Sequence, residues 1–178
     1  MIRFLRLLVY LCLLVGLGFI AASLYSPPVP VPLPPPPPLT GEIDRIVIEK
    51  SARRMQLMHD GKPVRTYQIA LGFTPEGDKL RQGDGKTPEG EFTIDRRNSE
   101  SAFHLSIGLD YPQPEDRERA ARIGYSPGGD IFIHGQPNAL PGGLQIKGDW
   151  TAGCIAVTNA QMSQIMGLLG KGAPVRIH

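Results

Sequence analysis

A mostly β domain, a β-sandwich or mixed sheet with one packed helix near the C-terminus, is what this sequence predicts, on three observations. Beyond residue 41 the apolar residues fall into short runs separated by Gly, Asp and Pro, the punctuation of strands and turns. Asp60-Gly61 sits between two of those runs and predicts a hairpin. One segment, 158–169, combines a helix-capping pattern with apolar residues at helical spacing.

The elements in chain order begin with residues 1–26, where Arg3 and Arg6 precede an uncharged run of 20 residues from Leu7 to Ser26. About 20 apolar residues are what a helix needs to cross the hydrocarbon core of a membrane. The basic residues ahead of the run place the N-terminus in the cytoplasm and the rest of the chain outside. The expectation is an uncleaved single-pass anchor, with a signal peptide cut near Ala21, Ala22 and Ser23 as the alternative. Cys12 lies within the run and reads as apolar filler. Residues 27–40 are a proline-rich spacer, with nine prolines between positions 27 and 38. Such a tract forms neither helix nor sheet, and at roughly 3.1 Å per residue it makes a stiff extension of about 35–40 Å.

Residues 41–178 are one domain, long enough to bury a core. Strands are expected at 43–50 and, as the two arms of the Asp60-Gly61 hairpin, within 54–72. The glycine-rich, charged stretch 73–90 is a long surface loop, a kind of segment that often carries function. A strand follows from Glu91 to Asp95, another over 102–112, then a short polar helix over 113–124, entered through Pro114 and closed by Gly124. Residues 129–135 form a further strand, and Ile155 and Val157 flank Ala156 in strand alternation. Thr158 at the N-cap and Gln161 at N3 form a capping box, followed by Met162, Ile165, Met166 and Leu169 on one face and Gly170 at the stop. Residues 173–178 close the chain as a strand.

Several function classes are excluded. With 19 basic and 17 acidic residues the formal charge is +2, and no basic stripe exists to grip a nucleic acid. The fragment Gly83 to Pro88 ends like a phosphate loop, but Leu80 stands where that motif needs glycine and a strand follows where a helix should start. His59, His104, His134 and His178 are scattered and no His-Glu-x-x-His pair occurs, which argues against a zinc peptidase and leaves a three-ligand site from distant positions as the alternative; no metal and no other cofactor is expected.

Cys154 carries the chemistry. Outside the membrane a cysteine without a partner in its domain is a liability unless buried or used. Trp150-Thr151-Ala152-Gly153 leads into it as a turn, and Gly153 lets backbone approach a substrate and frees amides for an oxyanion. A thiol near its ordinary pKa needs a base at neutral pH, and His134, which ends an apolar strand before Gly135, is the candidate. A structural histidine and a core cysteine are the alternatives. Trp150 and Tyr111 are candidates for the wall of a groove, or simply for packing.

These residues resemble the YkuD-type L,D-transpeptidase catalytic domain, whose pattern is His-Gly, a variable loop, Ser/Thr-x-Gly-Cys and a downstream Asn. The matching residues are His134-Gly135, Thr151-Ala152-Gly153-Cys154 and Asn159, with an upstream Thr87-Pro88-Glu89-Gly90-Glu91-Phe92. The resemblance implies a β-sandwich-like fold in which Cys154 attacks the carbonyl of the third residue of a peptidoglycan tetrapeptide stem, commonly diaminopimelate. D-Alanine leaves, and the thioester passes to an amine. It also implies His134 as general acid/base, the Gly135 carbonyl as its orienting group, and amides at Gly153 and Cys154 as the oxyanion site. Thr151, Ala152, Trp150 and Asn159 would contribute to binding.

Two positions depart from the pattern: Ala152 and Ala156 stand where many members carry His and Arg. The reaction class expected is therefore a cell-wall transpeptidase with its catalytic domain in the periplasm, anchored in the inner membrane. A hydrolase of the same fold, cutting stem-peptide bonds or the bond to an outer-membrane lipoprotein, is the alternative. A non-catalytic peptidoglycan-binding module is the alternative of another class.

Overall fold

Asp60 and Gly61 both have positive φ, 47° and 70°, the conformation that a two-residue hairpin turn requires and that Asp and Gly tolerate best. The turn joins strand β2 (Arg54–His59) to β3 (Lys62–Gln68), as the sequence predicts. This computed structural model describes residues 43–141 and 144–178. The expected anchor at 1–26 and the proline spacer at 27–40 lie outside the described residues, among which no helix is long and apolar enough to cross a membrane.

The remaining strands are β1 (Arg45–Glu49), β4 (Gly90–Asn98), β5 (Ser106–Leu109), β6 (Phe132–His134), β7 (Ile155–Ala156) and β8 (Pro174–Ile177). They form one eight-stranded mixed sheet in the order β3-β2-β1-β8-β4-β5-β6-β7. β1 with β8 and β6 with β7 are parallel pairs, and the other neighbours are antiparallel. Alternate residues point to one face, so Ile46 and Ile48, Met55 and Leu57, Phe92 and Ile94, and Val175 and Ile177 are all buried. The sheet curls until its ends approach. Just past β3, Ala70 exchanges two backbone hydrogen bonds with Ala156 of β7, at 2.9 and 2.8 Å.

That bridge corrects one expectation. Ile155, Ala156 and Val157 do not alternate between core and solvent, because β7 is covered from both sides and all three are buried. His134 lies inside the sheet, since β6 runs between β5 and β7. The strand expected over 102–112 is also shorter, with only Ser106–Leu109 paired. Residues 102–105 turn instead, His104 at φ 67°, because Asn138 from a distant loop satisfies their backbone. It accepts from the His104 amide at 2.8 Å and donates to the Ser101 carbonyl at 2.9 Å.

Two helices complete the fold among the described residues. Helix α1 (Pro114–Arg122) begins at proline and carries Glu115 and Asp116 in its first turn, where negative charge meets the positive end of the helix dipole. Helix α2 (Asn159–Leu168) has the predicted capping box, with Thr158 and Gln161 bonding each other's backbone amides. It ends one residue before Leu169, which is already extended, rather than at Gly170. Met162 and Ile165 are fully buried, and the helix contacts β5 and β6. Each such side chain contributes roughly 1.5–3 kcal/mol by leaving water, which fixes the start of α2 beside the strand that ends in His134.

Candidate active site

β6 and β7 are parallel neighbours with Ile133 opposite Ile155 and His134 opposite Ala156. One step back in the same register sets Cys154 beside Phe132, so Cys154 and His134 are diagonal neighbours on one face. Both line one cleft of about 560 Å³, together with Phe103, Asp130, Phe132, Trp150, Thr151 and Ala152. The structure thus brings together two residues that twenty positions separate in the chain.

The imidazole is buried and held firmly. His134 Nδ1 lies 2.7 Å from the carbonyl of Gly135. A carbonyl only accepts, so Nδ1 carries the hydrogen and Nε2 is left as the basic nitrogen. The ring packs at a tilt against Phe103, centroids 4.5 Å apart, and meets Trp150 edge-on at 5.7 Å. Burial pushes the pKa of His134 below its ordinary value, and the hydrogen bond to Gly135 opposes this without cancelling it.

The thiol of Cys154 is half-buried and donates to the Asp130 carbonyl at 3.4 Å. Burial pushes its pKa up, the Phe132 amide bond lowers it, the Asp130 carboxylate raises it and Lys79 lowers it, with a net rise. Both shifts favour the uncharged forms, thiol and neutral imidazole. Asp130 itself has φ 55°, a left-handed conformation uncommon for a residue with a side chain.

The turn before the cysteine explains its glycine. Gly153 has φ 138°, and a Cβ there would sit 2.7 Å from the Lys86 carbonyl. The 73–89 loop therefore presses directly on the back of the nucleophile's turn. Thr151 Oγ1 donates to the Cys154 carbonyl at 2.7 Å and accepts from the Gly153 amide at 3.1 Å. Because that amide is already taken, Gly153 serves as a point of close approach more than as a free donor.

Other predicted site residues are distributed differently. Trp150 and Ala152 line the cleft, and Ala152 is exposed there. Tyr111 does not line it; it is buried and donates to the Pro127 carbonyl at 3.0 Å, so it packs the core. Asn159 is also absent from the cleft wall, and its Oδ1 accepts from the Gln136 amide at 2.7 Å. Ala156 lines a second groove, shared with Gln136, Lys147 and Gln161, rather than the cleft of Cys154.

Sequence reasoning missed Gln136. It is buried, donates to the Val157 carbonyl at 2.8 Å and accepts from the Ile146 amide at 3.0 Å, tying the His134–Cys154 loop to β7. Its position directly after His134-Gly135 was the available signal. Among the described residues the one group of side chains able to share a metal, Asp44, His59 and Asp60, sits at the β2–β3 turn, and none of its members lines the cleft.

Comparison with known proteins gives the family. Residues 43–177 match the family model of the YkuD L,D-transpeptidase catalytic domain. The helical cell shape determining protein Pgp2 from Campylobacter jejuni is similar at 26% identity and TM-score 0.60, over 76% of this chain and 47% of that one. Bd1075 of Bdellovibrio bacteriovorus matches at 21% identity and TM-score 0.54, over 77% and 48%. An L,D-transpeptidase from Xylanimonas cellulosilytica shares the fold at 16% identity and TM-score 0.52, over 81% and 64%. The chain spans about half the length of Pgp2 and Bd1075. No curated protein matches it by sequence.

Proposed function

We propose, because the chain belongs to the YkuD L,D-transpeptidase catalytic domain family, that it is a cysteine acyltransferase acting on peptidoglycan stem peptides. The observation that carries this reading is the cleft itself, where Cys154 meets an imidazole whose Nδ1 proton is bound to the Gly135 carbonyl. Nε2 of His134 takes the thiol proton as sulfur attacks the carbonyl of the stem's third residue. The C–S bond forms, the C–N bond to the terminal D-amino acid breaks, and the proton passes from His134 to the departing amine. An acceptor amine then attacks the thioester, loses its proton to His134 and releases the thiol. With the Gly153 amide committed to Thr151, the oxyanion role falls to the amide of Cys154.

Hydrolysis is the second reading, favoured by one feature. Ala152 is exposed in the cleft wall next to the nucleophile, so a small side chain leaves room for water at the thioester. The uncharged run from Leu7 to Ser26 and the proline tract support a domain held in the periplasm from the inner membrane, with stem peptides and an outer-membrane lipoprotein as partners within reach.

Purified protein incubated with a carbapenem tests the chemistry. Intact mass should show one adduct in the native chain and none in Cys154→Ala; an adduct that survives the substitution refutes the nucleophile. Muropeptide profiles of cells lacking the protein separate the acceptors, since lost cross-links indicate an amine and accumulated tetrapeptides indicate water.

A further inference from the structure

The peptide unit between Gly135 and Gln136 is gripped at both ends. Its carbonyl accepts the Nδ1 hydrogen of His134 at 2.7 Å, and its N–H donates to Asn159 Oδ1, also at 2.7 Å. The approach is so close that a Cβ on Gly135 would lie 2.6 Å from Asn159 Oδ1. Asn159 is not free to drift, because it is the first residue of α2 and follows the Thr158 capping box directly. The Gly135 amide is fixed as well, donating to the carbonyls of Phe103 at 3.0 Å and Leu105 at 3.2 Å.

We infer that Asn159 is a positioning residue for His134, acting through the Gly135–Gln136 peptide rather than by touching the substrate. The inference rests on the reading of His134 as the general base. A hydrogen bond accepted from the N–H end of an amide increases the negative charge on its carbonyl oxygen, so bonds at the two ends strengthen each other. Asn159 thereby makes the Gly135 carbonyl a better acceptor. That matters most when Nε2 has taken the thiol proton and the ring is positive. The side chain thus opposes the burial that disfavours the imidazolium, and it keeps Nε2 turned toward the cleft.

Few charges compete with this effect. β5, β7 and α2, which flank β6, carry no titratable side chain. Cys154 and Asp130 face His134 from the cleft wall. His104 packs near Gly135 but shares its Nε2 with Ser163 at 2.9 Å. Asp149, beside Trp150, is paired with Arg53 at 2.9 Å.

The test uses the full chain as Asn159→Ala and Asn159→Asp, with His134→Ala alongside. Carbapenem acylation is followed against pH, and thermal unfolding is recorded for each variant. An ionised Asp is a stronger acceptor than Asn, so Asn159→Asp should move the acid limb of the rate profile to higher pH. Asn159→Ala should move it to lower pH and reduce the plateau about 10-fold, as expected of a weaker, less well-oriented base. In ¹⁵N-histidine spectra of the resting protein, Asn159→Ala should shift the Nδ1 proton upfield. Limbs unmoved in both folded variants overturn the inference, as does a parallel loss of rate and stability with an unchanged Nδ1 signal. If those results come with a slow His134→Ala, the positioning role alone falls. A His134→Ala variant at the native rate removes the base assignment and the inference together.

Discussion

His134 and Cys154 are shifted by burial in opposite directions on the pH scale, His134 downward and Cys154 upward, and each shift favours the neutral form. Reactivity at neutral pH then depends on proton transfer during attack rather than on a preformed thiolate. Alkylation of Cys154 by iodoacetamide should therefore climb steadily above the ordinary thiol range, with no reactive plateau in mild acid. Since the Asp130 carboxylate raises the thiol pKa, Asp130→Asn should move that profile to lower pH; an unchanged or upward-moving curve contradicts the assignment. Gly153 makes a second residue-level prediction. Gly153→Ala would hold a Cβ at φ 138° and 2.7 Å from the Lys86 carbonyl, so backbone must shift. A strained residue of this kind costs roughly 1–3 kcal/mol, and acylation should fall further than that stability loss explains, because the shifted turn carries the nucleophile.

At the level of elements, the 73–89 loop is held in place by two buried lysines, Lys79 within it and Lys50 beside it. Lys79, 3% exposed, meets Asp84 at 2.8 Å, and Lys50 donates to the carbonyls of Gly77 and Thr87 and to Glu89. Burial works against the charge of Asp84, but bonds from Lys79 and from the amides of Arg81, Leu80 and Lys86 outweigh it and hold its pKa at about 2. A carboxyl depressed in the folded state contributes stability that is fully present above roughly pH 4 and lost as pH falls toward that lower value. Asp84→Ala leaves Lys79 buried without its partner and should cost ~3–5 kcal/mol, read as a lower Tm at pH 7, with the gap to the native protein closing below pH 3. Acylation should also slow, because Lys86 in this loop backs the Gly153 turn. None of this pairing was legible in the sequence, where 73–90 showed only glycine and charge. The hairpin at Asp60-Gly61 and the capping box at Thr158 were legible, because a turn and a cap are decided by neighbours within four residues. The 102–105 turn was not, because its partner is Asn138. The same division holds at the site. Cys154 and His134 are marked by local glycine turns, whereas Gln136 and Asn159 matter through contacts across more than twenty residues.

For the molecule as a whole, the order β3-β2-β1-β8-β4-β5-β6-β7 places the last strand of the chain in the middle of the sheet. β8 pairs in parallel with β1 and antiparallel with β4, and Val175 and Ile177 contribute to the core from both pairings. Strand periodicity predicts that residues 173–178 are a strand, but says nothing of which partners they take, since pairing across the whole chain leaves no local mark. The consequence is that, among the described residues, β1–β3 join β4–β7 in the sheet through β8 and through two short bridges beyond β3, Ala70 with Ala156 and Gly72 with Thr151. The nucleophile's turn depends on this arrangement, because Gly72 and Lys86 approach Gly153 from outside the cleft while the cleft's lining residues lie between Asn98 and Cys154. Removing residues 174–178 should therefore abolish the fold rather than trim it. The truncated chain is expected to lack a cooperative thermal transition and near-ultraviolet circular dichroism, and to form no carbapenem adduct at Cys154. Supplying the missing strand in trans, as a peptide of residues 172–178, should restore part of the adduct if β8 acts only by bridging the two halves. A truncated chain that still unfolds cooperatively at the native Tm would show that the halves dock without it.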